Sequence, residues 1–489
     1  MRIMTPSEAV ALIPSGAFVV PGGFGSCGHP DLFTIAIERL FLDTGQPRNL
    51  NLLFASGAGN KKGMGLDKLA HRGLVKSAIG GFWGLCPHLR ALGEAGDIEA
   101  HNWPQGVISK LFGAIASGAP GVYSPVGLHT FVDPRMEGGV FRPGETQPKV
   151  SIETFRQNEY LFYPAVPVDI ALLRGTTADP QGNISLRGEA SKMDALSQAQ
   201  AARNSGGKVM VQVASLSQTP LHHNEVDIPA HLVDIVVASA SGNHPFTYGE
   251  NVRPSQLSKK SQTHDPARDR IIRRALCELP IGKFRKKLIN FGIGIPSQVG
   301  GAMSPEQRAS YTVSIESGVI GGTPLSGDSF GASIDPEALL DQSELFTFYD
   351  GGGVDKAFLG FAEIDSAGQI NVSKFGRHRP GAGGFINIAS SAKELIFCGH
   401  FMVGGHSPSE ADPVSNCKFV DKVEQITFNP RTSQAKRIVI ITDVGVFEMD
   451  SCSGQMTLTE VFGGMSPAQL AQYSPINFCV SRRLTEALA

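Results

Sequence analysis

The sequence has little tryptophan, no paired cysteine motif and no long apolar run. Its two tryptophans and seven cysteines are scattered over 489 residues, and no two cysteines form a CxxC pair. An odd number of dispersed cysteines predicts neither a disulfide framework nor a structural zinc site, and it favours a reducing cytoplasm. No apolar stretch reaches the ~18 residues that a membrane span needs, and the first residues lack the layout of a signal peptide. We therefore expect no membrane association.

An excess of charge of one sign is also missing. The chain has 43 Lys and Arg against 45 Asp and Glu, a formal net charge of -2, and 41% hydrophobic residues. This balance predicts a globular protein with a large core and gives no reason to expect a nucleic-acid partner. The histidines, His129 and His244 among them, show no metal-ligand spacing, and we expect no metal. The length predicts two or three domains.

What the sequence does contain is an internal repeat. The segment VDIALLRGTTADPQGNIS, from Val168, aligns without gaps with VDKAFLGFAEIDSAGQIN, which begins 186 residues later at Val354. A second match, HLVDIVV at 231 against KFVDKVE at 418, places Val233-Asp234 opposite Val420-Asp421. Matching blocks in the same order indicate two copies of one structural plan.

Each copy has the pattern of an α/β fold. Apolar runs at 208–213, 233–238, 394–399 and 437–449 alternate with helical segments, and glycine-rich corners join strands to helices. A polar segment without periodicity separates the copies. We predict two similar open α/β domains, 1–245 and 283–489, joined by a linker at 246–282, with the active site in the cleft between the domains.

One acidic residue distinguishes the two copies. In SIESGVIGG, Glu316 ends an apolar strand-like run, and the first copy has LLFASG in the corresponding place, with Ala55 opposite Glu316. The shared plan does not need the charge, because one copy lacks it. A surface or salt-bridged glutamate is one interpretation. A functional carboxylate at the carboxyl end of a parallel strand, where ligands bind in α/β sheets, is the other.

Several further motifs stand out in both copies. They are NFGIGIP, SIESGVIGG, GAGGFINIA and FVDKVEQITF in the second copy, and NWPQGVISKLF and VGLHTFVDPR in the first. Together these motifs resemble those of the family I coenzyme A transferases. The sequence is most similar to the single-chain acetate or propionate branch, whose α and β parts are fused, and also to succinyl-CoA:3-oxoacid transferases. The resemblance spans nearly the whole chain. It implies a NagB/RpiA/CoA transferase-like fold and a homodimer or homotetramer.

The resemblance implies a ping-pong transfer of coenzyme A between short-chain carboxylic acids, with Glu316 as the nucleophile. The carboxylate attacks an acyl-CoA, and a glutamyl-CoA thioester follows by way of a mixed anhydride. A glutamate of pKa ~4.3 must expel a thiolate whose acid has a pKa near ~8.5, so the site has to supply stabilisation. Coenzyme A is a substrate, and the resemblance implies no tightly bound cofactor.

The family pattern also assigns supporting residues. Gln105 and the backbone amide of Gly384 correspond to oxyanion donors, each worth ~3 kcal/mol. The sequence has Trp103 where a smaller aliphatic residue is expected, which predicts a reshaped acyl pocket. The remaining assignments are the CoA-contacting residues Gly292, Ile293, Gly294, Ile295, Gly383 and Gly384, and the acyl-pocket residues Gly23, Phe24, Gly25 and Trp103.

Three alternatives stay open at this point. An acyl-CoA hydrolase would differ only in whether water reaches the acyl-enzyme. A metabolite sensor of the same fold would bind ligand without chemistry. A thiol enzyme using Cys27 and His29 is disfavoured, because residues two apart in a turn seldom reach the required geometry.

Overall fold

The computed structural model describes residues 2–240, 242–249, 265–282, 285–405 and 416–488, and these residues form two α/β halves. In the first half the elements are β1 (Arg2–Ile3), α1 (Pro6–Val10), β2 (Phe18–Pro21), α2 (Asp31–Thr44), β3 (Leu50–Phe54), β4 (Val75–Gly80), α3 (Pro87–Ala95), β5 (Glu99–Asn102), α4 (Gln105–Ala116), β6 (Gly121–Ser124), β7 (Ser151–Phe155), β8 (Asn158–Pro164), β9 (Ile170–Ala178), β10 (Ile184–Ser185), α5 (Ala195–Asn204), β11 (Lys208–Leu216) and β12 (Ile235–Ala238).

The second half also alternates strands and helices. Its elements are α6 (Pro266–Leu276), β13 (Lys287–Phe291), α7 (Ile295–Ala302), α8 (Pro305–Ser310), β14 (Tyr311–Ile315), β15 (Val319–Ile320), β16 (Thr323–Pro324), β17 (Ser333–Ile334), β18 (Ala338–Leu339), α9 (Gln342–Asp350), β19 (Lys356–Leu359), β20 (Glu363–Ile364), β21 (Ile370–Asn371), α10 (Phe385–Ser391), β22 (Glu394–Cys398), β23 (Arg437–Ile441), β24 (Gly445–Met449), β25 (Met456–Val461), α11 (Pro467–Gln472), β26 (Cys479–Val480) and α12 (Arg482–Leu488).

Each half is built on one large sheet. The strand order is β1-β12-β11-β9-β2-β3-β4-β5 in the first half and β18-β15-β14-β13-β19-β22-β23-β24-β25-β26 in the second. The run β3-β2-β9-β11-β12 of one sheet corresponds to β14-β13-β19-β22-β23 of the other, and every pairing within both runs is parallel. This shared parallel core confirms the predicted α/β fold and the internal repeat.

The repeat extends to single hydrogen bonds. The Asp169 carboxylate accepts the backbone N–H of Phe18 at 2.7 Å, and the Asp355 carboxylate accepts that of Leu288 at 2.9 Å. Each aspartate stands just before the central strand of its sheet and holds the neighbouring strand in register. The aspartate that the two copies share in their VD motif therefore has one structural role in both halves.

The second sequence match is wrong. Val233-Asp234 lead into β12, but residues 418–424 form no strand, and the counterpart of β12 is β23. The matched letters are a short apolar and acidic pattern that fits a loop as well as a strand entry. The apolar run 437–449 forms two strands, the antiparallel pair β23 and β24.

Part of the predicted linker is helical. Helix α6 begins after Asp265, whose side chain caps the N–H groups of Ala267 and Arg268, and it buries Ile271 and Ala275 against the second sheet. The sequence pattern did not predict this helix, because most of its residues are polar and only a narrow stripe of its surface is apolar. We assign α6 to the second half. Among the described helices, none combines the length and apolarity that crossing a membrane requires.

Buried polar contacts join the two halves. The Asp194 carboxylate of the first half accepts hydrogen bonds from Ser109 Oγ at 3.0 Å and from Gln342 Nε2 of the second half at 2.8 Å. Burial raises the pKa of Asp194 to about 7. Ser191 Oγ donates to the backbone oxygen of Ser317, which belongs to the same turn as Glu316. A residue of the first half therefore contacts the turn that carries Glu316.

Candidate active site

A cavity of about 340 Å³ lies where the two halves meet. The first half contributes four residues to its wall, and the second half contributes the ends of several strands and two loops. The lining residues are Phe24, Ser56, Phe82 and Gln105 from the first half, and Gly292, Ile293, Glu316, Phe330, residues 359–362, Val372, Phe375 and residues 381–385 from the second. The structure thus contains a cavity between the two halves, where the sequence predicted the active site.

Glu316 stands in the turn that follows β14. Gly318 has a φ of +104°, a backbone conformation that favours glycine, and Ser317 Oγ donates to the backbone oxygen of Gly331 at 2.8 Å. Both features hold the turn so that the Glu316 side chain lines the cavity. Ala55 follows β3, the strand that corresponds to β14, so the two residues occupy equivalent places in the repeat.

The Glu316 carboxylate has an apolar environment. Burial alone raises its pKa to about 7, and among the described residues no side chain or backbone group forms a hydrogen bond or ion pair with it. A buried carboxylate normally acquires a partner, because an unpaired charge away from water is costly. A half-buried, unpaired and cavity-lining acid is therefore available to react rather than engaged in holding the fold.

The loop 381–384 is placed against Glu316 by contacts with the first half. Gly383 donates its N–H to the Gly81 oxygen at 2.9 Å and accepts the N–H of Gln105 at 3.2 Å. The N–H of Ala382 donates to Asn102 Oδ1 at 3.0 Å. A Cβ atom added to Gly384 would lie 2.5 Å from Glu316 Oε2, so any other residue here would displace the carboxylate from its present position. Within the described residues the Gly384 N–H has no acceptor.

Gln105 presents a donor to the same cavity. It is the first residue of α4, it is 1% exposed, and its Nε2 has no hydrogen-bond partner among the described residues. Its Oε1 would lie 3.6 Å from a Cβ placed on Gly383, so the side chain adjoins the glycine loop. A buried unsatisfied amide costs stability unless a ligand completes it. The arrangement suits a group that binds a substrate oxygen.

Comparison with known proteins connects this geometry to one family. A family model described as Coenzyme A transferase matches residues 3–239. The caffeate CoA-transferase of Acetobacterium woodii is 37% identical over 95% of this chain and 92% of its own. The chain belongs to the coenzyme A transferase family. It therefore transfers coenzyme A between carboxylic acids, and acyl-CoA is its substrate.

Two further comparisons cover most of this coenzyme A transferase. The acetate CoA-transferase YdiF of Escherichia coli O157:H7 is 35% identical over 91% of this chain and 87% of its own. The structure of acyl-CoA transferase YdiF from the same organism, in a thioester complex with CoA, matches with a TM-score of 0.87 and 32% identity over 99% of this chain and 94% of that one. The resemblance found in the sequence motifs is confirmed.

The loop after β13 reaches this transferase's cavity only in part. Gly292 and Ile293 line the wall, whereas Gly294 and Ile295 begin helix α7 and lie outside it. The Gly292 N–H already donates to the Phe358 oxygen at 2.8 Å, so this amide is not open to a ligand. Four residues of this loop were assigned to coenzyme A. Gly292 and Ile293 lie in the cavity wall, and Gly294 and Ile295 lie at its margin.

The predicted acyl pocket needs a correction. Phe24 lines the cavity, but Gly23 and Gly25 only flank it, and an added Cβ on Gly25 would lie 2.9 Å from the Phe330 oxygen. Trp103 is not in the wall: it is 0% exposed and packs 5.4 Å from the Tyr163 ring in the first-half core. It follows β5 with its ring directed between α4 and β8, so the tryptophan fills core and does not narrow the cavity.

Much of the wall was not predicted. Ser56 and Phe330, together with the phenylalanines at 82, 361, 375 and 385, contact the same space although they are far apart in the sequence. Phe385 directly follows the glycine loop, so the GAGGF motif could have indicated its place in the wall. For Phe330 no local motif exists, since its place in the wall depends on packing against Phe24 of the other half, with ring centroids 5.6 Å apart.

The thiol alternative loses its support. Cys27 is buried, burial raises its pKa to about 12, and its Sγ donates to the Phe24 oxygen. The His29 ring is bonded to the Gly22 oxygen and to Thr34, not to Cys27. In the part of the chain that the structure describes, no group of three or more His, Cys, Asp or Glu side chains converges as metal ligands would.

Proposed function

We propose that Glu316 is the nucleophile that transfers coenzyme A between short-chain carboxylic acids. A carboxylate oxygen of Glu316 attacks the thioester carbon, the C–S bond breaks, and CoA thiolate leaves a mixed anhydride. The thiolate then attacks the glutamyl carbon, releasing the first acid with one oxygen from Glu316 and forming a glutamyl-CoA thioester. The incoming carboxylate reverses these two steps and restores the Glu316 carboxylate.

The raised pKa of Glu316 supports this role. An ordinary glutamate, at ~4.3, differs by about four units from a thiol at ~8.5, and each unit corresponds to ~1.4 kcal/mol. With a pKa of about 7 the difference falls to less than two units. Burial thus makes the carboxylate a stronger nucleophile and a poorer leaving group while leaving it largely ionised in mildly alkaline solution.

Two donors are available for the tetrahedral oxyanion. Gln105 lines the same cavity as Glu316, and Gly384 adjoins the Glu316 carboxylate. Neither Gln105 Nε2 nor the Gly384 N–H has a partner among the described residues. Preorganised donors of this kind typically contribute ~3 kcal/mol each to the transition state. Glycine at 384 serves two purposes here, because the absent side chain leaves room for both the carboxylate and the thioester oxygen.

The coenzyme A arm is proposed to follow the second-half wall. Gly292, Ile293 and Gly383 line the cavity together with Glu316, and Gly294 and Ile295 follow at the start of α7, at the margin of the wall. Binding energy from this long, remote part of the substrate can be used to strain the reacting centre. The first half, with Phe24 and Gln105, then covers the acyl group.

One observation carries the proposal: an unpaired, half-buried Glu316, with a raised pKa, that adjoins the backbone of Gly384 inside the inter-domain cavity. The test mixes the purified protein with propionyl-CoA and acetate and follows acetyl-CoA and propionate by chromatography. We expect transfer in the wild type, none with Glu316→Gln, and full transfer with Glu486→Gln, which removes an exposed glutamate of α12.

The alternatives appear as distinct outcomes of the same assay. A hydrolase would release free CoA from propionyl-CoA without any acetate. A sensor would bind the thioester and leave it intact. Among the described wall residues Glu316 is the one side chain with an ionisable acid or base, so a hydrolase would also have to use it. The homodimeric or homotetrameric state and the cytoplasmic location stay predictions, to be checked by light scattering and cell fractionation.

A further inference from the structure

Helix α9 of the second half receives its N-terminal cap from the first half. The first N–H groups of a helix have no partner inside it, and the side chain of the preceding residue usually accepts one of them. Asp341 precedes α9, but its side chain forms no such bond. Instead, the Gln342 N–H donates to the backbone oxygen of Met193, in the first half, at 2.6 Å. The first turn of α9 is therefore completed across the interface.

Asp194 brings a carboxylate to the same helix end. Its Oδ2 accepts hydrogen bonds from Gln342 Nε2 at 2.8 Å and from Ser109 Oγ at 3.0 Å, and Gln342 Nε2 also donates to Ser109 Oγ. Burial raises the pKa of Asp194 to about 7, while Ser109, the backbone N–H of Ser343 and Gln342 act to lower it. The N–H of Ser343, the second residue of α9, thus faces this carboxylate. A carboxylate is favourable there, because the N-terminus of a helix carries a partial positive charge.

The Asp194 side chain does not cap its own helix. Asp194 directly precedes α5, a position where aspartate normally bonds the first N–H groups of the helix that follows, but it forms no such bond with α5. Its carboxylate contacts α9 and Ser109 of α4 instead. Ser109 lies four residues after Gln105, on the same face of α4. One carboxylate therefore joins the helix that begins with Gln105 to the N-terminus of α9.

Helix α9 and the residue before it contact the segment that carries Glu316. The Leu340 N–H donates to the Gly318 oxygen at 2.8 Å, in the turn that contains Glu316. The Tyr349 hydroxyl, at the other end of α9, donates to Ser314 Oγ at 2.7 Å, in the last part of β14. Both sides of Glu316 are therefore bonded to α9 or to its first residues.

The glycine loop is adjacent to the same helix. A Cβ atom added to Gly384 would lie 3.0 Å from Cζ of Phe346, so this ring of α9 packs close to the loop. The segment that caps α9 also contacts the acidic turn itself, since Ser191 Oγ donates to the backbone oxygen of Ser317. The positions of Glu316 and of its neighbour Gly384 thus both depend on α9.

We propose that Asp194 is a positioning residue: by capping α9 across the interface, it makes the placement of Glu316 and Gly384 depend on the docking of the two halves. The proposal rests on the proposed function, since it assumes that the reaction takes place at Glu316. Asp194 lies outside the cavity wall, so it acts through α9 and not on the substrate. A helix that loses its cap opens more often at its first turn, and small displacements of reacting groups slow a reaction strongly.

Hydrogen exchange of the whole protein, read in peptides by mass spectrometry, tests the cap. Asp194→Ala should raise exchange in the first turn of α9 by about 10-fold or more and leave α5 nearly unchanged, because the side chain bonds α9 and not α5. Asp194→Asn should restore wild-type exchange, since asparagine caps a helix about as well as aspartate. Unchanged exchange in α9, or an increase confined to α5, would overturn the proposal.

Single-turnover formation of the CoA adduct from propionyl-CoA tests the positioning. Asp194→Ala should lower the rate at saturating propionyl-CoA by about 10-fold or more and keep the half-saturating concentration within about 3-fold of the wild type. Asp194→Asn should restore the rate. A wild-type rate in a folded Asp194→Ala protein, checked by thermal melting, would overturn the assignment.

Asp179→Ala is the matched control for this experiment. Asp179 is also a buried aspartate of the first half, and its Oδ1 accepts the N–H groups of Gln181, Gly182 and Asn183, each at 2.9 Å, in a turn outside the cavity. The variant should melt at a lower temperature and form the adduct at the wild-type rate. An equal loss of rate in Asp179→Ala would show that lower stability alone explains the effect, and it would contradict the role of Asp194.

Gln342→Leu tests the same cap from the second half and serves where Asp194→Ala does not fold. It keeps a buried side chain of similar volume and the N–H that bonds Met193, and it removes the side-chain donor to Asp194. We expect exchange in the first turn of α9 to rise, and the rate to fall, by about 3-fold or more. Wild-type exchange and rate in the folded variant would contradict the proposal.

The wild-type protein separates failure of this inference from failure of the proposed function. A wild type that forms no adduct with propionyl-CoA would remove the role of Glu316 itself. A wild-type adduct, together with an unchanged rate in Asp194→Ala, would remove only the role of Asp194.

Discussion

A Cβ atom placed on Gly384 would lie 2.5 Å from Oε2 of Glu316, closer than real Cβ contacts allow. Gly384→Ala should therefore displace the carboxylate while keeping the backbone N–H. We expect CoA transfer to fall by about 100-fold or more, because small misplacements of reacting groups are costly. Steady-state transfer from propionyl-CoA to acetate measures this effect.

The control for this substitution lies on the helix that begins at Gln105. Gly113 is exposed on α4, and an added Cβ there would meet nothing within 4 Å. Gly113→Ala should leave transfer unchanged and stabilise the protein by up to ~1 kcal/mol, since alanine favours helix over glycine. Normal activity in Gly384→Ala would show that Glu316 does not depend on the close glycine.

Gln105→Leu should slow the reaction without unfolding the protein. The substitution keeps the volume of a buried side chain and removes an unpaired donor, so stability should hold or improve. Loss of an oxyanion donor typically lowers kcat by about 100- to 1,000-fold. Single-turnover formation of the CoA adduct measures the step directly. Formation at the wild-type rate would exclude Gln105 from the oxyanion site.

The pH dependence of acylation should report Glu316. Only the ionised carboxylate attacks, and burial raises its pKa to about 7. The rate of adduct formation at low acyl-CoA concentration should therefore fall as pH drops through about 7 and reach a plateau above it. A midpoint near the ordinary glutamate value of ~4.3 would show that the carboxylate is not desolvated.

Stability gives an independent measurement of the same pKa. A carboxyl group whose pKa is higher in the folded than in the unfolded protein favours folding when protonated, so its stabilising effect is lost as pH rises from ~4.5 through about 7. Glu316→Gln should thus raise the free energy of unfolding at pH 8, by up to ~3 kcal/mol, and have little effect at pH 4.5. Thermal melts of the two proteins at both pH values provide the comparison.

Trp103→Leu should affect folding and not specificity. Trp103 is fully buried beside Tyr163, and removal of a large core ring costs about 2–4 kcal/mol of stability. The ratio of kcat/KM for propionate and acetate should stay at its wild-type value, because the ring does not line the cavity. A changed ratio would place Trp103 in contact with the acyl group after all.

The sequence predicted the fold, and it singled out Glu316, for an identifiable reason. The repeat acted as an internal comparison: the same strand end carries Glu316 in one copy and Ala55 in the other, so the charge could be separated from the scaffold. The sequence also singled out Gln105 and the 381–384 loop, because their motifs are local and continuous. Their mutual contacts agree with that prediction of a shared site.

What the sequence could not supply depends on tertiary packing. Phe330 and Ser56 carry no motif, and only the tertiary structure brings them to the same cavity as Glu316. Trp103 adjoins the Pro-Gln motif in sequence, yet its ring points into the core while Asn102 and Gln105 contact the glycine loop. Helix α6 was hidden because most of its surface is polar and only a few residues face the second sheet.

The central claim is a covalent intermediate on Glu316, and mass spectrometry tests it most directly. The protein is incubated with propionyl-CoA and no acceptor acid, and intact and peptide masses are compared with and without borohydride. The account predicts a CoA adduct before the quench and, after it, reduction to an alcohol at Glu316, both absent from Glu316→Gln. Turnover of propionyl-CoA with Glu316 unmodified, or an adduct on another residue, would contradict it.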